Sequence, residues 1–360
     1  MKSIKNILLI TSVLLFLWSC DEDGITTYAP YEPTPLPLEI PKLFSDNIID
    51  PVIPFDNPQT VEGVNLGRKL FFDPILSGDN SQSCADCHAP ENAFSDADRF
   101  SEGINGDLGT RNSMPIFNLA WNYDENFFWD GRAFSLENQA LEPVVNPIEM
   151  HSDWKINAEK LANHAEYTEL FYQAFGNVKI DSTLVTKAIA QFQRTLISAN
   201  SRFDQHLLGT TTLTPQELNG FNIFMDESKG DCFHCHGNAN NPLWTDNIFH
   251  NNGLDATFTD LGLGAKTGDP ADNGKFRSPS LRNLAFTAPF MHDGRFATLE
   301  EVIIHYSEGL QHSSTIDPLM KAVENGGVQL SESDKSDLKA FLLSLSDPTF
   351  INNPDFQNPN

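Results

Sequence analysis

Two copies of one short pattern hold the most reactive side chains of this 360-residue chain. Cys84-Ala85-Asp86-Cys87-His88 and Cys232-Phe233-His234-Cys235-His236 both read C-x-x-C-H. Two thiols at that spacing can add across the vinyl groups of a haem, and the histidine directly after them is placed to ligate the iron. Zinc is the rival, because C-x-x-C also holds that ion. A structural zinc needs four ligands per site, whereas both copies carry the next-position histidine that haem attachment requires. The chain has five cysteines, and four of them stand in these motifs. The fifth, Cys20, ends a hydrophobic leader, so no pair remains for a structural disulfide.

A haem iron held by one histidine has a sixth position, and whether it is filled decides between electron transfer and reaction. Cleaving peroxide there calls for a group that moves a proton from the inner to the outer oxygen, and a polar group that holds the peroxide. Two haems also need a route for electrons between them. Phe128-Trp129-Asp130-Gly131-Arg132, followed by Gln139, Pro143 and Glu149, supplies such residues. With these segments the chain resembles the bacterial di-haem cytochrome c peroxidase and MauG superfamily over residues 60–345. The resemblance implies a mainly α fold: two cytochrome-c-like haem domains facing each other, with long loops. The N-terminal haem would be peroxidatic and the C-terminal haem would transfer electrons. Hydrogen peroxide would be reduced to water by a small redox protein, a cytochrome c or a cupredoxin, and a homodimer would fit the family.

Carried over by position, Trp129 matches the tryptophan between the haems, Gln139 the distal glutamine and Glu149 the catalytic carboxylate. Pro143 matches a proline of the distal pocket. Asn112, Thr287 and Pro289 match an inter-haem calcium site, where a side-chain amide and backbone carbonyls suit a hard cation. Arg277 and Arg282 follow the family pattern too, and one of them would carry charge near the haem propionates. Taken singly, Trp129 reads equally as core and Glu149 as a solvated loop acid. Their joint spacing with two haem motifs sets them apart.

The chain departs from the family in two places. Many members park a histidine of the Gly-rich loop on the peroxidatic iron, yet Ser101–Arg111 contains none. The iron of His88 is then expected five-coordinate or water-bound without prior reduction, with His151 as a substitute ligand the alternative. Typical members also place a methionine fourteen residues after the histidine of H-D-G. Counted from His292, that position is Tyr306, as in MauG-type proteins. Leu299, Val302, Ile303 and Tyr306 share one helical face, with His305 about a quarter turn away. Met291 and Met320 are rival ligands, and an ordinary buried tyrosine is the plain reading. Thioether ligation raises an iron's potential; an anionic phenolate favours the oxidised metal. These features leave a peroxide-using MauG-like oxidase, acting on a protein or small molecule, as an alternative to the peroxidase. A non-catalytic electron-transfer cytochrome is the third reading.

The elements that must position these residues are helical. Val61–Phe72 carries Leu66, Leu70 and Phe71 at helical spacing and leads to the first motif. Thr214-Pro215-Gln216-Glu217 opens a helix leading to the second. Residues 154–175 and 182–208 are expected as helices, as are a capped helix from Thr298 and a final one over 331–345. The sequence thus divides into a leader (1–19), a Pro-rich extended tether (20–60), a peroxidatic haem domain (61–208), an electron-transfer haem domain (209–346) and a frayed tail (347–360). Lys2 and Lys5 before the short apolar run 7–18 read as a signal peptide. Leu17-Trp18-Ser19-Cys20 resembles a lipobox, so lipidation at Cys20 and a periplasmic or cell-surface location are expected. The formal net charge of −26 argues against nucleic acid and suits either simple solubility or a basic partner.

Overall fold

Apolar spacing and capping residues define the helices that carry both motifs. In the computed structural model, which describes residues 30–177 and 179–359, Val61–Phe72 is helical and Leu66, Leu70 and Phe71 are fully buried. Thr60 opens the helix, its hydroxyl accepting the Gly63 amide at 3.0 Å; such a cap contributes about 1 kcal/mol. The chain then turns into the short helix Cys84–Cys87. The same order returns in the second half. Pro215–Met225 is capped by Thr214, with Glu217 reaching back, and it precedes Phe233–His236.

Each leading helix is crossed by a later one: Val61–Phe72 by Ser182–Thr195, and Pro215–Met225 by Glu332–Ser344. Glycine makes both crossings close. A methyl group on Gly67 would stand 1.9 Å from the Ala188 carbonyl oxygen, and one on Gly220 1.9 Å from that of Asp337. Around these crossings lie two apolar cores. One gathers Leu66, Phe71, Phe94, Phe171 and Phe192, with Cys84 packed on it. The other gathers Phe203, Phe224, Trp244 and Phe341, with Cys232 packed on it. The internal duplication is therefore one of packing as well as of motif. Among the described residues the named strands are Phe249–His250 and Phe276–Arg277, paired antiparallel.

Several expectations are corrected. The helix expected over 154–175 is two, Trp154–Ala162 and Ala165–Phe175. The helix expected over 182–208 ends at Thr195 and resumes as Arg202–Leu207. Between them Ser198 leaves helical bonding to exchange backbone bonds with the Asn118 side chain, both at 2.9 Å. Ser201 then restarts the helix with its own capping box to Asp204. The described part of the tether, residues 30–60, is folded. Its prolines keep it largely extended, but Lys42–Asn47 is helical and Phe44 is fully buried, 4.9 Å edge-on from Trp121. The tail is not frayed either. Asp347 caps Pro348–Ile351 and accepts the amides of Ala199 and Asn200, while Phe350 is buried against Phe94 and Phe117. Its C-terminal segment thus belongs to the core of the N-terminal half, and residues 31–360 form one compact unit. The leader and Cys20 lie outside the described residues. Among the described residues no helix is long and apolar enough to cross a membrane.

Arg282, one of the two arginines considered for the propionates, has a structural task. It is fully buried and bidentate to Asp204, both bonds at 2.7 Å. Burial works against the Asp204 charge, yet Arg282 outweighs it and holds that carboxyl below its ordinary range. Removing one partner strands the other charge in the interior. Asp204→Ala is expected to cost about 3–5 kcal/mol, read as a lowered denaturation midpoint of the haem-loaded protein.

Candidate active site

Ser83 and Asp86 shape the turn that carries the first motif. The Asp86 carboxylate accepts the Ser83 amide at 2.6 Å and the Ser83 hydroxyl at 2.7 Å, which fixes the pitch of the Cys84–Cys87 helix. His88 follows, with Nδ1 2.9 Å from the Phe94 carbonyl oxygen. Nδ1–H therefore donates to that carbonyl, and Nε2 keeps its lone pair for a metal. Burial holds the imidazole below its ordinary pKa, hence neutral. Burial also pushes the thiols of Cys84 and Cys232 up to about 12 and that of Cys87 to about 11.

Cys84, Cys87 and His88 open on a cavity of about 810 Å³, within the size range of cofactor sites. Trp129, Gln139, Pro143 and Glu149 line the same cavity. The sequence spacing therefore converges on one place. Thr259, Asp260, Leu261 and Ala265 close part of it from the second half. That cover is tied down by Arg111, which bonds Asp260 at 2.7 and 2.8 Å and Asp130 at 2.6 Å.

Glu149 is a half-buried acid on a braced backbone. The Asn146 amide donates to its Oε1 at 2.6 Å. The Ile104 amide donates to its carbonyl at 3.0 Å. A methyl group at Gly103 would meet the Ile148 carbonyl oxygen at 2.2 Å, so only glycine lets this loop approach. The His-free segment Ser101–Arg111 is thus docked on the acid's own backbone. His151 is exposed and 2.8 Å from the Asn105 side chain, which makes it a brace for that loop. Burial raises the Glu149 carboxyl above its ordinary range; the Asn146 bond and Arg132 work against the rise, and Glu142 adds to it.

The segments of the two halves meet at Trp129. Its indole N–H donates to the Asn112 carbonyl at 2.8 Å, and its own carbonyl accepts the Arg277 amide at 2.9 Å. The Asn112 amide N–H donates to the His292 carbonyl at 2.8 Å, while its side chain donates to the carbonyls of Asp98 and Arg99. Thr287 is buried nearby in sequence, and Pro289 stands three residues before His292. Arg277 is buried, with Nε unpartnered and no carboxylate paired to it among the described residues. Burial draws its pKa down to about 10. Its Nη1 donates to the Asn247 amide oxygen at 2.7 Å and its Nη2 lies 3.6 Å from Met114 Sδ. A buried guanidinium with no carboxylate partner fits an anionic group such as a propionate, and Arg282, engaged with Asp204, does not.

At the second motif His236 is half-buried, loss of solvent around the imidazole pulls its pKa down to about 4, and the Ser278 hydroxyl lies 3.4 Å from its Nδ1. Helix Leu299–Ile304 gives way to a π-helical turn at His305–Gly309, a distortion common at functional sites. His305 is buried rather than turned out, with Nε2 3.3 Å from the Asn252 carbonyl. Tyr306 Oη accepts from Asn252 Nδ2 at 3.1 Å. Burial pushes this phenol up to about 12, the Asn252 bond opposes that, and Cys235 and Cys232 add to it. The same Asn252 nitrogen lies 3.5 Å from Met291 Sδ. Met320 sits in the turn after Asp317. One trio of ligand-type groups stands out among the described residues, Cys235, Asp246 and His250. Both His250 nitrogens are already engaged, by Asp246 at 2.8 Å and Asp317 at 2.7 Å. Burial opposes the charge on His250, but these carboxylates and Cys235 push its pKa up to about 11. The trio is an imidazolium clamp beside the motif rather than a metal site.

Sequence reasoning missed Asn146, Asn252 and the Asp260 cover. Asn146 lay within reach, three residues before the acid in Asn146-Pro147-Ile148-Glu149. The other two are tertiary contacts without local signal.

Two histidine-bearing attachment turns, one opening on a cavity with a half-buried acid, define a c-type haem oxidoreductase. The profile of the di-haem cytochrome c peroxidase family matches residues 61–212. The chain is 36% identical over 296 residues to the methylamine utilization protein MauG of Methylophilus methylotrophus, covering 81% of this chain and 84% of that one. It is 35% identical over 251 residues to the cytochrome c551 peroxidase of Nitrosomonas europaea, covering 68% and 73%. The crystal structure of a MauG-like protein associated with microbial copper homeostasis superposes with a TM-score of 0.81 at 35% identity, over 90% of this chain and 99% of that one. The chain belongs to the di-haem cytochrome c peroxidase and MauG family. It is an oxidoreductase acting on peroxide, built to carry two haems.

The Asn146 amide favours the charged form of Glu149, so Asn146→Ala raises the carboxyl pKa further. Below that pKa the acid cannot accept a proton. The acidic limb of the peroxide reaction is expected to move to higher pH, measured by stopped-flow rates across pH; an unmoved limb contradicts the role given to Asn146.

Proposed function

We propose that this protein is a di-haem peroxidase reducing hydrogen peroxide to water, with Glu149 as its proton-transfer group. The observation that carries the reading is the shared cavity of His88, Glu149, Gln139 and Trp129. The overall change is H2O2 + 2 e⁻ + 2 H⁺ → 2 H2O. When bound at the two motifs, the haems would supply the electrons that break the O–O bond. Glu149 takes the proton of the inner peroxide oxygen at a carboxylate oxygen and returns it to the outer one, so that water departs instead of hydroxide. The Gln139 amide holds the outer oxygen, and Pro143 closes the wall beside it. Trp129, bonded to both halves, carries electrons between them. Arg277 meets a propionate. Because Ser101–Arg111 lacks histidine and is docked on Glu149, no ligand has to leave before peroxide enters.

Around this centre Tyr306 is the residue that would ligate the second iron, and Asn112, Thr287 and Pro289 would hold a calcium ion. The Asn112 amide nitrogen is engaged by backbone carbonyls, which leaves its Oδ1 for the ion. A small redox protein, a cytochrome c or cupredoxin, donates the electrons. The leader directs export, and a lipid on Cys20 anchors the chain at the periplasmic membrane or cell surface.

A second reading, a MauG-like oxidase of a protein or small-molecule substrate, is favoured by Tyr306, because an anionic ligand makes the second centre a poorer acceptor from a high-potential donor. Turnover with reduced cytochrome c separates the two: brisk oxidation on adding peroxide supports the peroxidase, and none supports the oxidase. Glu149→Gln is expected to slow the peroxide reaction roughly 10²–10⁴-fold with both haem spectra intact, by stopped-flow absorbance. An unchanged rate would remove Glu149 from the mechanism.

A further inference from the structure

The segment 250–253 is clamped from several sides. His250 is gripped by Asp246 and Asp317. The buried Asn251 side chain donates to the hydroxyls of Ser313 and Thr315, both at 2.9 Å. The Gly253 carbonyl accepts the Gln311 amide at 2.7 Å. Asn252 projects from this fixed segment, and its amide nitrogen faces two potential iron ligands at once: Tyr306 Oη at 3.1 Å and Met291 Sδ at 3.5 Å. Met291 is itself held in a left-handed backbone conformation, φ 75°, which non-glycine residues adopt at a cost. Tyr306 lies within the π turn His305–Gly309 that ends its helix.

We propose that Asn252 is a positioning residue that selects the sixth ligand of the second haem, Tyr306 over Met291. This rests on the reading of Tyr306 as that ligand. An amide nitrogen has two hydrogens, and here they are divided between the rivals. One donates to the phenolic oxygen. When Tyr306 ligates, its O–H bond breaks, the proton leaves to solvent, and the oxygen that binds iron keeps the amide's hydrogen bond, which is stronger to an anion. The other hydrogen takes one of the two lone pairs of the thioether and tethers Met291 to this fixed segment. Selection comes from a residue that never touches the metal.

The test uses the haem-loaded, full-length protein with Asn252→Leu, Asn252→Asp and Met291→Leu variants, read by absorption, electron paramagnetic resonance and redox titration. The wild type is expected to show a phenolate-ligated low-spin centre, unchanged in Met291→Leu. Asn252→Leu is expected to exchange that signature for the near-infrared thioether-to-iron band, with an upward shift in the potential of the second haem. Asn252→Asp, close in shape but without the N–H groups, is expected to do the same, which guards against a leucine that merely disturbs the fold. Adding Met291→Leu to either should abolish the new band. A phenolate signature that persists in both Asn252 variants overturns the proposal while leaving Tyr306 as ligand. A wild type without a phenolate signature overturns the underlying reading.

Discussion

An imidazole with one nitrogen bound to a backbone carbonyl keeps a lone pair on the other. At His88 the Phe94 carbonyl fixes the tautomer, and burial suppresses the protonated alternative. Nε2 is left as a lone pair at the edge of a large cavity. That constraint explains the local structure. Ala93 and Phe94 both take left-handed φ, 51° and 60°, which bends the chain back so that the carbonyl can reach His88. The Ser83–Asp86 box sets the turn from which both thiols and the imidazole project. Burial is tolerable there because each sulfur carries no charge once bonded to carbon.

The two halves repeat a scaffold and differ in what they place around it. Each has a leading helix, a glycine-mediated crossing and an attachment turn. Near the first turn stand a braced acid and an amide, facing free space. Near the second stand a phenol, a thioether and a shared asparagine, with an imidazolium clamp beside the cysteines. A low-dielectric interior makes such fixed charges and dipoles count for more than they would in water. The Arg111 bonds to Asp130 and Asp260 draw a segment of the second half over the first cavity. The Trp129–Arg277 backbone bond ties the halves beside the first cavity. Asymmetry of function is thus imposed by loops on a symmetric frame.

Much of this could be read from sequence because attachment chemistry is local. Two cysteines and a histidine in five residues need no tertiary information, and the helix ahead of each motif announces itself through caps and apolar spacing. Glu149, Gln139 and Trp129 were legible as a spaced set, and they do line one cavity. Where the reading failed, distance in the chain was the cause. Residues 30–60 look like a tether because prolines break helices, yet Phe44 finds Trp121 and is buried. The tail looked frayed for the same reason, although Phe350 completes a core built mostly from residues before 200. Arg277 and Arg282 are alike in sequence, and only the presence of Asp204 beside one of them assigns the roles. Asn252 is 54 residues from Tyr306 and 39 from Met291, so no local pattern could have linked the three.

The two halves are proposed to hold one iron with an open face beside an acid and one iron closed by a side chain. Electron paramagnetic resonance of the purified, fully oxidised, haem-loaded protein tests it most directly. The account predicts one high-spin and one low-spin ferric centre in equal amounts, with the high-spin signal lost when a small exogenous ligand is added. Two low-spin centres, each closed by protein side chains and indifferent to that ligand, would contradict it.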